Sequence, residues 1–265
     1  MMMNAWLYCL LIVGGSTALS VGGMFLVRKF IPRESLEACH EVGGYMLAVV
    51  GTLYAIVVGL IVVSSQAKVD AASQMAVTES NMLSNIYHLS RTFSEPAGKE
   101  IRSTIHEYAE RVVDEDWSKV HEGLESEETI KPYRALWHHI TGYVPRDNRD
   151  SQTYAAMLND IEQLSEARKY RMVAGRCGLS PVLWGVLIAG GVLTVLFTYF
   201  FFVESLVSNA IMTGFVGVFI SMNVYLIYIC QNPYTPELGA KQAGFGFAFS
   251  PKWFAETPPT LEKKQ

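Results

Sequence analysis

Apolar residues along this chain gather into four long runs, and the polar residues gather between the second and the third. Residues 5–27 and 42–65 make one pair of runs and 181–203 and 207–230 another, with no Asp, Glu, Lys or Arg inside any of them. Each has about the 20 apolar residues that a helix needs to cross the hydrocarbon core of a bilayer. Lipid offers no partner to a backbone amide, so such runs cross as helices. The pattern predicts an all-α membrane protein: four transmembrane helices in two hairpins, with a helical insert between the second and third spans. The segments are 1–65, the first hairpin; 66–180, the insert; 181–230, the second hairpin; and 231–265, a C-terminal tail.

The second span carries two stripes. Gly44, Ala48, Gly51, Ala55 and Gly59 recur at helical spacing on one face. Small residues so placed let helix backbones approach closely and mark packing seams in membranes. Met46, Val50, Leu53, Val57 and Leu60 form an apolar stripe on the other side, which either faces lipid or closes a pore by resisting wetting. Val50, Leu53 and Val57 are the candidate narrowest ring. Polar residues in the spans include Ser16, Thr17, Ser20, Asn209, Ser221 and Asn223, and no span holds a carboxylate or a cation. That argues against a transporter driven by proton or ion coupling.

Between Gln66 and Ser180 the apolar spacing is helical, with no strand-like alternation. Val69, Ala72, Ala76, Leu83 and Ile86 continue the second span's pattern, interrupted by Glu79, so one helix is predicted from Val42 to Phe93. Ser94 is the predicted cap of the next helix, with Pro96 in its first turn and Ile101, Ile105, Tyr108 and Val112 on its inner side. Two more helices follow. One lies around Glu127–Tyr143, with Tyr133, Leu136, Trp137 and Ile140 inside; the other lies around Ser151–Arg176, with Tyr154, Leu158, Ile161 and Leu164. Pro181 then fits the first turn of the third span.

The insert holds 14 Lys/Arg and 18 Asp/Glu, so nothing basic points to nucleic acid. Cys9, Cys39, Cys177 and Cys230 are scattered and suggest neither disulfides nor zinc. The first run lacks a basic n-region and is long for a signal peptide, so it is expected to be retained. Basic residues near the span ends number six on the insert face (Lys68, Arg168, Lys169, Arg171, Arg176, Lys241) and three opposite (Arg28, Lys29, Arg33). This balance predicts that the insert and both termini are cytoplasmic.

Catalytic signatures are missing. His-Glu pairs at His40, His106 and His121 lack the second histidine of a zinc helix, and no nucleophile elbow or phosphate loop occurs. No enzyme activity and no cofactor is expected. Two charged features remain. Nine acidic residues between Glu107 and Glu128 suit a solvated face, with Asp114, Glu115 and Asp116 as weak candidate ligands for a divalent cation. Arg168, Lys169, Arg171 and Arg176 precede the third span, either meeting anionic lipid or forming a cationic collar that draws anions to a pore mouth.

Several motifs, in order, resemble the bestrophin-like domain family of bacterial membrane proteins. They are His40–Glu41–Val42 with Gly44, Val50–Gly51–Thr52–Leu53–Tyr54–Ala55 with Gly59, and Glu79 with Asn81 and Leu83. Next come Tyr108, Val112 and Asp116–Trp117, then Glu166, Arg168 and Arg171 ahead of Leu183–Trp184. Asn232–Pro233–Tyr234 and Ser250–Pro251–Lys252–Trp253–Phe254 complete the set. Two positions depart from the family pattern. An acidic residue, Pro, Phe and Gly are usual where Asn232–Pro233–Tyr234–Thr235 stands, and Ser64–Ser65–Gln66 replaces a tryptophan. The resemblance implies a homo-oligomeric channel of the bacterial inner membrane, pentameric by analogy with bestrophins, passing small anions such as chloride through a conduit lined by the second helix. The generic charges of the insert suit a rival reading, a non-transporting scaffold whose insert recruits a protein partner.

Overall fold

A computed structural model describes residues 2–113, 126–174, 178–200, 205–231, 233 and 234. Among these the chain is all-helical: α1 (Met2–Phe30), α2 (Arg33–Ser90), α3 (Ala97–Arg111), α4 (Glu127–Thr141), α5 (Asn148–Ala174), α6 (Pro181–Tyr199) and α7 (Leu206–Ile229). Helices α1, α2, α6 and α7 are long and apolar enough to cross a membrane. The chain divides into two compact units: 1–67 with 178–231, and 68–177 with 232–265. Helix α2 continues from the first unit into the second with no break at Ser64–Gln66.

In the membrane unit, glycines set the packing. The main partner of α1 is α7 rather than its sequence neighbour α2. Gly217 of α7 sits so close to Ser20 of α1 that an added Cβ would lie 3.2 Å from its hydroxyl. Tyr199, closing α6, fills the space over Gly23 and donates from its hydroxyl to the Ser20 carbonyl at 2.7 Å. Tyr54 of α2 lies against Gly190 and Gly191 of α6 and donates to the Leu187 carbonyl at 3.1 Å. Val58, Ile61, Leu187 and Ile227 form the buried core beside it, with Val57, Trp184 and Val224 packed round them. Span hydroxyls largely satisfy themselves within their own helices: Ser16, Thr17, Ser20 and Ser221 each donate to the carbonyl four residues back. At the start of α6 the Ser180 hydroxyl accepts from the Leu183 amide, with Pro181 in the first turn.

The helical unit buries the positions that the spacing predicts. Ala72, Ala76, Leu83 and Ile86 of α2 meet Ile101, Ile105 and Tyr108 of α3, Leu136 and Ile140 of α4, and Met157, Ile161 and Leu164 of α5 in one core. Helix α2 ends at Ser90, three residues short of Phe93, whose buried ring stacks on Tyr143 with centroids 4.0 Å apart. The predicted Ser94 cap is corrected. Pro96 holds the N-cap position, and Ser94 contributes its carbonyl to the Gly98 amide. Gly98 is needed there, because a Cβ would collide with the Ser90 carbonyl oxygen. Helix α5 starts earlier than expected because the Asp147 carboxylate accepts from the Asp150 amide at 2.7 Å and caps it.

Candidate functional site

Two parts of the chain carry features beyond ordinary packing: the membrane portion of α2 and a buried ionic cluster in the helical unit.

The faces of α2 are distinct. At about 100° per residue, Tyr54, Val58, Ile61 and Ser65 point one way, and these four are buried or half-buried against the chain's own helices. The small-residue stripe lies about 90° round from them. It is not packed within the chain: Ala48, Ala55 and Gly59 are exposed, and no side-chain atom approaches a Cβ built on Gly51 or Gly59 within 4 Å. Gly51, Ala55 and Gly59 instead help to floor a groove of 790 Å³ whose far wall is Phe215, Phe219 and Met222 of α7. About 140° the other way runs a ridge of large residues: Val42, Met46, Val49, Leu53, Ile56, Leu60 and Val63. All seven are between 51% and 68% exposed. Their alternating steps of four and three are the spacing of a helix–helix seam.

The candidate ring of Val50, Leu53 and Val57 divides between these faces. Leu53 belongs to the exposed ridge, whereas Val50 is half-buried and Val57 packs on the core around Val58 and Leu187.

The ionic cluster joins α2, α3 and α5. Glu79 and Arg171 are both fully buried; Arg171 Nε donates to Glu79 Oε2 at 2.8 Å and Nη2 to Oε1 at 3.2 Å. The Tyr108 hydroxyl donates to the same Oε1 at 2.6 Å. Burial holds the Tyr108 hydroxyl well above its ordinary pKa, and the Glu79 charge adds to this while Arg171 and Arg168 oppose it. Tyr234, beyond the end of α7, is buried in the same core, and burial holds its hydroxyl above its ordinary pKa. Next to this cluster the Arg168 guanidinium lies 4.3 Å over the Tyr133 ring, and both Tyr133 and Trp137 donate to the Ser165 hydroxyl. Bidentate geometry and the added Tyr108 hydrogen bond offset the cost of burying the two ions.

Two members of the candidate basic collar are corrected accordingly. Arg171 is internal and neutralised, and Arg168 is buried beneath an aromatic ring, so neither faces an incoming anion. Lys169 is exposed, and Arg176 lies outside the described residues. Asp114, Glu115 and Asp116 also lie outside them. Among the described residues no cluster of metal-ligating side chains forms. The sequence pattern missed the cluster, although its signal was present: Glu79 stands at a core position of an otherwise apolar helical stripe.

A model of the bestrophin-like domain matches residues 14–245, and the chain belongs to that family. No curated protein and no solved structure gives a significant match. Membership together with four apolar helices makes this a multi-pass membrane protein, and it points to an anion-channel kind of function rather than an enzyme.

Proposed function

We propose that this bestrophin-like protein is a homo-oligomeric channel for small anions such as chloride, with α2 of each copy lining the conduit. The observation that carries this reading is the uncovered ridge Met46, Val49, Leu53, Ile56, Leu60 and Val63, on a helix whose small-residue face is also unpacked by its own chain. Small residues in a membrane serve close helix approach, and the ridge has the step pattern of a seam between helices. In a ring of copies, the small face of one α2 receives the shoulder of the next, a head-to-tail contact that closes on itself. The ridge then faces the axis with Leu53 and Ile56 at its centre. A constriction of such residues excludes ions by resisting wetting and conducts when widened or polarised. Among the collar residues, the fixed charge that suits anions is the exposed Lys169. The basic balance of the span ends supports a cytoplasmic insert with both termini inside, in the bacterial inner membrane.

The test is reconstitution of the purified protein into planar bilayers under a chloride gradient, with its oligomeric state measured in lipid. An oligomer whose currents reverse near the chloride potential is the expected result. A monomer in lipid that passes no current, either as wild type or with Leu53→Ala and Ile56→Ala, would overturn the channel and leave the scaffold reading.

A further inference from the structure

The chain passes between its two units three times, after Ala67, before Gly178 and after Gln231. Each crossing delivers one buried residue to the core of the helical unit, where the ionic cluster sits. Helix α2 brings Glu79, the end of α5 brings Arg171, and the segment following α7 brings Tyr234. Glu79 and Arg171 are 92 residues apart in sequence and fully buried, and Tyr234 is only 3% exposed in the same core. The geometry points to a coupling joint: the Glu79–Arg171–Tyr234 cluster fastens together the three segments that lead into α2, α6 and α7.

Ion-pair chemistry suits this role better than apolar packing. Apolar side chains slide at small cost, whereas a bidentate guanidinium–carboxylate pair has one geometry, and displacing either partner strands a buried charge. Tyr108 donates to one Glu79 oxygen and so leaves that carboxylate little freedom to rotate. A shift of α2 or α5 must therefore move the other or break the pair, and Tyr234 seats the segment after α7 in the same core. The joint does not depend on ion conduction; it concerns how firmly the segments are held.

Buried thiols next to the crossings report on it. Cys230 closes α7 and is 4% exposed, and Ser65 on α2 is likewise 4% exposed. Two chains are needed in lipid, one retaining only Cys230 and one with only Ser65→Cys, the other cysteines being serine. The readout is the labelling rate with a membrane-permeant maleimide, which follows local opening.

Two perturbations of the joint are compared. Tyr234→Ala removes one member, and Glu79→Leu/Arg171→Met/Tyr108→Phe replaces the polar set by apolar side chains of similar volume, so that the unit still folds. Each is expected to raise both labelling rates about tenfold, and the two combined are expected to raise them no further than either alone, because they act on one element. Asp150→Asn in the same unit removes the charge from a different polar contact, with Tyr143, and is expected to leave both rates unchanged. Rates unmoved by both joint variants would overturn the inference, and so would an equal rise in Asp150→Asn.

Discussion

Replacing Glu79 alone with leucine leaves Arg171 charged, fully buried and without its carboxylate, and leaves the Tyr108 hydroxyl without its acceptor. Removing one partner of a buried ion pair costs about 3–5 kcal/mol. The orphaned Tyr108 hydroxyl adds about 1–3 kcal/mol. Glu79→Leu/Arg171→Met removes both charges together, so only the hydroxyl penalty remains. Adding Tyr108→Phe removes that as well, and apolar replacement of a buried pair is often neutral or stabilising. The expected order of stability is wild type close to the triple variant, then the double, with the single variant far below. Thermal unfolding of the full chain in detergent, followed by far-UV circular dichroism, reads this directly. For a unit of this size the single variant should lose roughly 10 °C or more and the double several degrees. If the single variant melts no lower than the double, the cost does not lie in an uncompensated charge, and the reasoning about this cluster fails.

Three further outcomes follow from the same geometry. In bilayers, Leu53→Ala should raise conductance, because the ridge residue is exposed, while Val57→Ala should mainly lower stability, by about 1 kcal/mol, because it packs on the chain's own core; equal conductance gains from both would count against the division of faces. Gly190→Ala should destabilise the membrane unit by about 1–3 kcal/mol, because its Cβ would stand 2.5 Å from the Tyr54 ring, and Tyr54→Ala in that background should restore part of the loss. The Asp150 carboxylate accepts from the Tyr143 hydroxyl and from Arg146, which holds it below its ordinary pKa. Its folded pKa is depressed, so its contribution is complete above about pH 4 and is lost as pH falls through the lower folded value. Melting curves of wild type should therefore drop more steeply as pH falls below about 4 than those of Asp150→Asn.

Local rules made much of this chain legible from its residues alone. The four spans follow from runs of apolar residues without charge, since lipid penalises any other backbone arrangement. The unbroken α2 and the core positions Leu83, Ile105, Leu136 and Ile161 follow from three–four spacing, which is a property of one helix and needs no partner to read. Membership in the bestrophin-like family was likewise legible, in motifs from His40 to Phe254. What periodicity could not decide was direction in three dimensions. It grouped Val50, Leu53 and Val57 as one stripe, but contact with α6 turns Val57 inward and leaves Leu53 out. It read Arg168 and Arg171 as a basic collar because charge near a span end normally seeks solvent or headgroups. Their burial depends on Glu79, 92 residues away from Arg171, and on the ring of Tyr133. A pairing at that separation leaves no local pattern, and only the tertiary fold brings the two charges close enough to neutralise each other.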